Sequence, residues 1–162
     1  MILRLAQPED AGVVAEMLRR LAKDLGDADF VSSERSVQEH GFGPQAHFQS
    51  ILAERDGAPQ GLALFLRHYS TTYALPGVYV QDLWVSPDQR GSGLGQRLLA
   101  AVAEHAARTW NAGYLGLTVN HSNPGAARFY ARLGFVHRGN DAPLMLKEVA
   151  FCDLVSMKAG PA

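Results

Sequence analysis

Apolar positions along the chain recur with two periods, and the switches between them mark the elements. Residues 2–6 read as a strand, and Pro8-Glu9-Asp10 opens a helix running to about Lys23, with Val13, Met17, Leu18 and Leu21 on its apolar side. Between Asp24 and Pro44 the pattern is mixed, although Ser33-Glu34-Arg35-Ser36 can cap a short helix ending at Gly41. Strands are expected near 50–56 and 60–68, joined by Arg55-Asp56-Gly57-Ala58, a hairpin signal. Val78-Tyr79-Val80-Gln81-Asp82-Leu83-Trp84-Val85 is β-branched and aromatic, reads as a strand, and ends at the turn Ser86-Pro87-Asp88. Leu94, Leu98, Val102 and Ala106 then share one face of a helix over 94–109. A strand over 114–119, a helix over 124–133 and terminal strands near 135–138 and 146–156 complete the series. Such interleaving predicts a helix-covered, partly antiparallel sheet, and no linker divides it, so residues 1–162 are expected to form one α+β domain.

Composition narrows the function classes. Sixteen acidic residues against fifteen Lys and Arg leave almost no net charge, so no basic field argues for nucleic acid. The single cysteine, Cys152, permits no intrachain disulfide and suits a reducing compartment; a buried apolar role in the last strand explains it equally. No charged-then-apolar leader pattern opens the chain and no apolar run approaches membrane length. A cytoplasmic protein without nucleic-acid or membrane partners is the expectation.

Chemistry concentrates first at Arg90-Gly91-Ser92-Gly93-Leu94-Gly95, between the strand at 78–85 and the helix at 94–109. A glycine-rich turn opening a helix presents unpaired N–H groups at the positive end of the helix dipole, which suits a pyrophosphate. Counted from Gly91, the third glycine of a dinucleotide fingerprint would fall at Gln96, and the Gly-Lys-Ser/Thr of a P-loop is absent. An ordinary strand-to-helix turn would look the same in isolation. The second concentration is Asn123-Pro124-Gly125-Ala126-Ala127-Arg128-Phe129-Tyr130-Ala131-Arg132-Leu133-Gly134-Phe135. Asn123 can cap this helix with Pro124 at its first position, and Gly134 can end it in the left-handed conformation. Asn123, Ala127 and Tyr130 are spaced to share one face, beside an apolar stripe of Ala126, Phe129 and Leu133.

In this order the two motifs resemble those of the GCN5-related N-acetyltransferase (GNAT) family, whose members move an acetyl group from acetyl-CoA to an amine. A narrower likeness to the spermidine/spermine (diamine) acetyltransferase branch runs through Glu39-His40-Gly41-Phe42-Gly43, Ile51-Leu52-Ala53-Glu54, Tyr69-Ser70-Thr71 and Tyr79 to Val85. The resemblance implies the GNAT acyl-CoA N-acyltransferase fold, a single mixed, mostly antiparallel sheet flanked by helices and splayed between the strands 78–85 and 114–119. Acetyl-CoA would enter at the splay, with no metal required. The implied cofactor contacts are the strand segment Leu83, Trp84 and Val85, the loop Arg90, Gly91, Ser92, Gly93, Leu94 and Gly95, and Asn123, Ala127 and Tyr130. Arg90 would add charge-assisted bonds to phosphate.

Transfer requires a neutral amine, a thioester carbonyl held close to it, and a proton for the departing thiolate. An amine near the lysine value of about 10.4 is mostly protonated at neutral pH, so the site must remove a proton first. By the resemblance Tyr130 is the general acid, and a phenol with a pKa near 10 delivers a proton without being ionised at rest. The branch usually carries Glu-Asp where this chain has Gln81-Asp82, and glutamine is no base. On an ideal strand Gln81 and Asp82 face opposite sides, so Asp82 replaces the lost carboxylate only if a bulge rotates it. Deprotonation can otherwise pass through water held by Asp82, His121, His68 or backbone carbonyls, or the acceptor is a less cationic amine. The branch often has Trp-Asn where this chain has His121-Ser122-Asn123, which leaves the acceptor open. Substrate contacts are expected from Glu34, Gln81, Asp82 and Tyr69; Asp24, Asp27, Asp29 and Glu39 can add an acidic rim, and Trp84 can wall an amine pocket, although strand aromatics are mostly core. These readings lead to an acetyl-CoA-dependent N-acetyltransferase acting in a ternary complex on a small-molecule amine of polyamine, diamine or amino-acid-like type. A homodimer is expected, to which the apolar run Val149-Ala150-Phe151-Cys152 can contribute. The alternatives are transfer to a peptide or protein amine and a CoA-binding sensor that has lost turnover.

Overall fold

The computed structural model describes residues 1–120 and 123–136. Its contacts divide the chain into two compact units that meet between Asn123 and Pro124. The first unit holds strands β1 (Ile2–Leu5), β2 (Gln49–Arg55), β3 (Ala58–Ser70), β4 (Leu75–Val85) and β5 (Leu115–Leu117), with helices α1 (Ala11–Leu25), α2 (Glu34–Gly41) and α3 (Leu94–Trp110). The described part of the second unit carries helix α4 (Pro124–Arg132). The terminal strands expected near 135–138 and 146–156, Cys152 and the Val149–Cys152 run lie outside the described residues, as do His121 and Ser122; Phe135 and Val136 are not in a strand. Among the described residues no helix is long and apolar enough to cross a membrane.

The five strands form one sheet in chain order, antiparallel from β1 to β4 and parallel between β4 and β5. The β2–β3 hairpin turns at Asp56 and Gly57, both at positive φ (52° and 76°), as expected of the Asp-Gly pair. Ser33 caps α2 as its sequence suggests, accepting a bond from the Ser36 amide at 3.2 Å while the Ser36 hydroxyl accepts from the Ser33 amide at 2.8 Å. Strands β3 and β4 run further than the expected 60–68 and 78–85, over Ala58–Ser70 and Leu75–Val85. In the added stretch Gly77 is a point of close approach, where a Cβ would lie 2.3 Å from Cε1 and Cζ of the Tyr114 ring.

Helices cover both faces of the sheet. Leu52, Leu62, Leu64 and Trp84 pack with Val14, Met17 and Leu18 of α1 and Val37 of α2 on one face. On the other face Phe65 meets His105 and Trp110 of α3, with ring centroids 5.7 and 5.9 Å away. Gly61 sets how closely the start of α3 approaches: a Cβ there would lie 3.0 Å from Leu98 Cδ1, 3.1 Å from the Trp84 carbonyl oxygen and 3.4 Å from Leu94 Cδ2. Gly61→Ala is therefore expected to cost about 1–3 kcal/mol by overpacking, since a strand carbonyl cannot swing aside like a side-chain tip. A differential-scanning melt should show this as a fall in Tm of roughly 2–4 °C per kcal/mol for a chain of this size. An unchanged Tm would mean that α3 moves off the sheet at no cost.

Candidate active site

Strand β4 carries an extra residue at the position that matters most. Leu64 of β3 pairs with Asp82 while the next residue, Phe65, pairs with Val80, so Gln81 has no partner on β3. The bulge reverses the alternation. Val78 and Val80 share the α3 face with Arg67 and Phe65, whereas Asp82 and Trp84 share the α1 face with Leu64 and Leu62. Tyr79, opposite Leu66, also lies on the α1 face, so the bulge brings Asp82 to the same side as Tyr79. This rotation is the condition under which Asp82 can stand in for the missing glutamate. Gln81 itself is exposed, and Asp82 is half-buried. Burial raises the Asp82 carboxyl above the ordinary carboxylate range, while a hydrogen bond from the Gln81 side chain partly offsets the rise.

The sheet opens at the same point. Strand β5 pairs with β4 only at Val78, Tyr79 and Val80, so Asp82 to Val85 have β3 on one side and no β5 partner on the other. Past this edge the chain turns through Pro87–Gln89 into the glycine loop. Gly91 (φ 80°) and Gly93 (φ 83°) adopt the left-handed conformation that glycine takes without strain, and no heavy atom lies within 4 Å of the place a Cβ would occupy on either. Gly93 immediately precedes α3, and the first intrahelical bond runs from the Arg97 amide to the Gly93 carbonyl at 3.1 Å. Helix geometry leaves the amides of Leu94, Gly95 and Gln96 without intrahelical acceptors at the dipole's positive end. An open, side-chain-free approach to aligned N–H groups fits the diphosphate of acetyl-CoA. Ser92 contributes differently from its neighbours: its amide (3.2 Å) and its hydroxyl (2.7 Å) both donate to the Gln89 carbonyl, so it shapes the turn.

Arg90 is exposed and held at two points, with Nε donating to the Val85 carbonyl at 3.2 Å and Nη2 to Asp24 Oδ2 at 2.5 Å. Asp24 also accepts from Trp84 Nε1 at 3.0 Å. Sequence reasoning placed Asp24 only on an acidic rim; contacts spanning 60 and 66 residues leave no local signal. The Trp84 ring is 3 % exposed and has the Arg20 guanidinium 5.8 Å from its centroid, so it belongs to the core and does not wall an amine pocket. Tyr69 is exposed on the α3 face by strict alternation along β3, opposite to the face that carries Asp82. Glu34, at the first position of α2, lies over α1, its carboxyl carbon 3.3 Å from where a Gly12 Cβ would be. His68 is exposed and hydrogen-bonds through Nδ1 to the Tyr114 hydroxyl, while Tyr79 and Thr118 share a hydroxyl bond of 2.8 Å. The Asn123 amide donates to the Asn120 carbonyl at 2.9 Å.

In the second unit α4 ends in a Schellman motif. The Phe135 amide donates to the Tyr130 carbonyl at 3.1 Å and the Gly134 amide to the Ala131 carbonyl at 3.0 Å, with Gly134 at φ 89°. The apolar contact that accompanies this motif is Phe135 against Tyr130, ring centroids 5.5 Å apart, and the Phe129 ring lies 5.1 Å from that of Tyr130. The Gly-Phe pair after the helix thus fixes the Tyr130 ring. Burial raises the Tyr130 phenol above its ordinary value. Ala127 stands one turn earlier on α4 and is half-buried.

Comparison with known proteins bears on these arrangements. The model of the Acetyltransferase (GNAT) family matches residues 15–135, which include both motifs. This chain belongs to the GNAT acetyltransferase family. It is 31 % identical to the thialysine N-epsilon-acetyltransferase of Bos taurus over 142 residues, 82 % of each chain. The corresponding Sus scrofa protein is 33 % identical, with 65 % of this chain and 66 % of the relative aligned. Its likeness to the aminoalkylphosphonate N-acetyltransferase of Salmonella typhimurium is 30 % over 133 residues, covering 82 % of this chain and 83 % of that one. Among solved structures, an integron cassette protein from the mobile metagenome of V. cholerae matches the fold of this acetyltransferase with a TM-score of 0.78 at 20 % identity, covering 96 % and 98 % of the two chains.

Proposed function

We propose that this acetyltransferase moves the acetyl group of acetyl-CoA to a primary amine of a small molecule, with thialysine-like, lysine-like and diamine acceptors first. The observation that carries the reading is the bulge at Gln81, which turns Asp82 to the α1 face where the β4–β5 pairing ends. A carboxylate there supplies what the substitution of glutamine for glutamate removed. The relatives named above act, by their names, on amines of small molecules, which favours this class of acceptor over a protein amine.

Acetyl-CoA supplies an activated acetyl thioester, which the chain's residues hold and expose to the amine. The amides of Gly91, Gly93 and Gly95 and the Arg90 guanidinium would bind the diphosphate, and the backbone of Leu83 and Val85 would pair with the pantetheine arm. Asn123 and Ala127 complete the cofactor contacts. Asp82, made more basic by burial, takes the proton of the acceptor ammonium directly or through one water, and Gln81 and Glu34 help to orient the amine. The free amine then forms the new C–N bond as the C–S bond breaks. Backbone N–H groups of β4 stabilise the charge that develops on the carbonyl oxygen, Tyr130 gives its phenolic proton to the departing thiolate, and the second proton of the acylated nitrogen passes through water to the phenolate, leaving the neutral amide. Proximity of the two substrates supplies much of the remaining acceleration. A cytoplasmic, homodimeric state and a single domain over the whole chain belong to the same proposal, on the strength of the family resemblance and the lone cysteine.

Thiol release from acetyl-CoA, followed across thialysine, lysine, diamines, spermine, aminoalkylphosphonates and aminoglycosides, tests the reading. Turnover concentrated on the lysine-like and diamine members is the expected result. Binding of CoA without turnover on any member, and with no acetylated protein in a lysate, would point to a CoA sensor instead.

A further inference from the structure

One carboxylate oxygen ties three elements together at the edge of the candidate site. Asp24 sits in the last turn of α1, and its Oδ2 accepts from Trp84 Nε1 of β4 at 3.0 Å and from Arg90 Nη2 at the mouth of the glycine loop at 2.5 Å. The Trp84 side of this clasp is anchored in the core: at 3 % exposure its indole N–H has little access to water, so Asp24 is the partner that satisfies it. The Arg90 side is open, with the two side chains 53 % and 39 % exposed, and an ion pair that open contributes little to stability. The ion pair therefore adds little to fold stability, and its physical effect is on the placement of Arg90.

A guanidinium carries five N–H donors in one plane. The Arg90 plane is held at Nε by the Val85 carbonyl and at Nη2 by Asp24, which leaves three donors to face a ligand with the plane already set. A long, exposed side chain that is oriented before binding loses less freedom when the ligand arrives. We propose that Asp24 is a positioning residue of the cofactor site, fixed from the core by Trp84 and holding Arg90 in the orientation that receives the diphosphate. The inference rests on the reading of the Arg90–Gly95 loop as the diphosphate site.

The test compares CoA with pantetheine, which lacks the diphosphate, as ligands of the full-length protein carrying Asp24→Ala, Asp24→Asn, Arg90→Ala or Asp24→Ala with Arg90→Ala. Asp24→Ala is expected to weaken CoA about fivefold, to leave pantetheine unchanged, and to raise the KM for acetyl-CoA with kcat held. Asp24→Asn keeps an oxygen for the indole N–H without the ion pair and is expected to lose less. Once Arg90 is alanine, removal of Asp24 should have no further effect on CoA affinity. Equal weakening of CoA and pantetheine would overturn the proposal in favour of a structural role. Additive losses would overturn it too, as would tighter CoA binding, which would mean that Asp24 opposes the phosphate. Weaker CoA binding in Arg90→Ala with none in Asp24→Ala defeats the positioning role alone. Unchanged CoA binding in Arg90→Ala defeats the diphosphate reading and the proposal with it.

Discussion

Tyr130→Phe is expected to lower kcat by about 10²–10³ while leaving the affinity for acetyl-CoA and the melting temperature nearly unchanged. The asymmetry follows from how the residue is held. Its ring contacts those of Phe129 and Phe135, and its backbone carbonyl anchors the Schellman bond from the Phe135 amide at 3.1 Å; phenylalanine keeps all of these. Only the hydroxyl is lost, and with it the proton for the departing thiolate. Burial raises the Tyr130 phenol, so the neutral, proton-donating form persists to higher pH than for an exposed tyrosine. The wild-type rate should therefore hold on the alkaline side beyond the ordinary tyrosine value of about 10, as far as the protein stays folded. Steady-state kinetics with a saturating amine, paired with CoA titration, checks the split. A kcat that survives the substitution would show that solvent protonates the thiolate and would remove Tyr130 from the chemistry.

What could be read from the sequence is what short stretches determine. The capped helix at 34–41, the α3 helix from Leu94, the Asp56-Gly57 turn and the Gly134 stop each depend on a few neighbouring residues, and each stands where the pattern placed it. The glycine loop was legible for the same reason, because its function depends on main-chain freedom that glycine alone supplies. The bulge was legible only as a condition. Whether Gln81 is skipped depends on the register against Leu64 and Phe65, some sixteen residues earlier, which composition along β4 does not encode. The same limit hid Asp24, whose partners are distant in sequence and whose neighbours look like any exposed helix end. Trp84 was legible as pocket wall or as core, with core the commoner fate of a strand aromatic, and the side the bulge assigns it is the core. Fold was thus carried by local pattern, and the site by the points at which strands fall out of step.

Asp82→Asn is expected to move stability and activity in opposite directions. Desolvation lifts the folded-state pKa of Asp82 above its unfolded value, so the folded protein is penalised wherever the carboxyl is ionised. Below the unfolded value of about 4 both states are protonated and no penalty exists; it grows as the pH rises toward the folded pKa and is complete above it. Asparagine never ionises. The variant should match the parent near pH 3 to 4 and exceed it at neutral pH by roughly 1 kcal/mol, the scale at which relieved functional sites usually respond. Turnover should fall by about 10²–10⁴, because the amide accepts no proton, and the acidic limb of the parent's pH–rate profile should vanish with it. Melting curves at two pH values and a pH–rate profile on the best acceptor decide the matter together. Loss of stability at neutral pH would mean that the carboxylate holds the bulge, and undiminished turnover would pass the role of base to water held by other groups. A variant that is more stable and less active is the signature of a carboxylate kept in a costly place for its chemistry, on a strand whose extra residue is what puts it there.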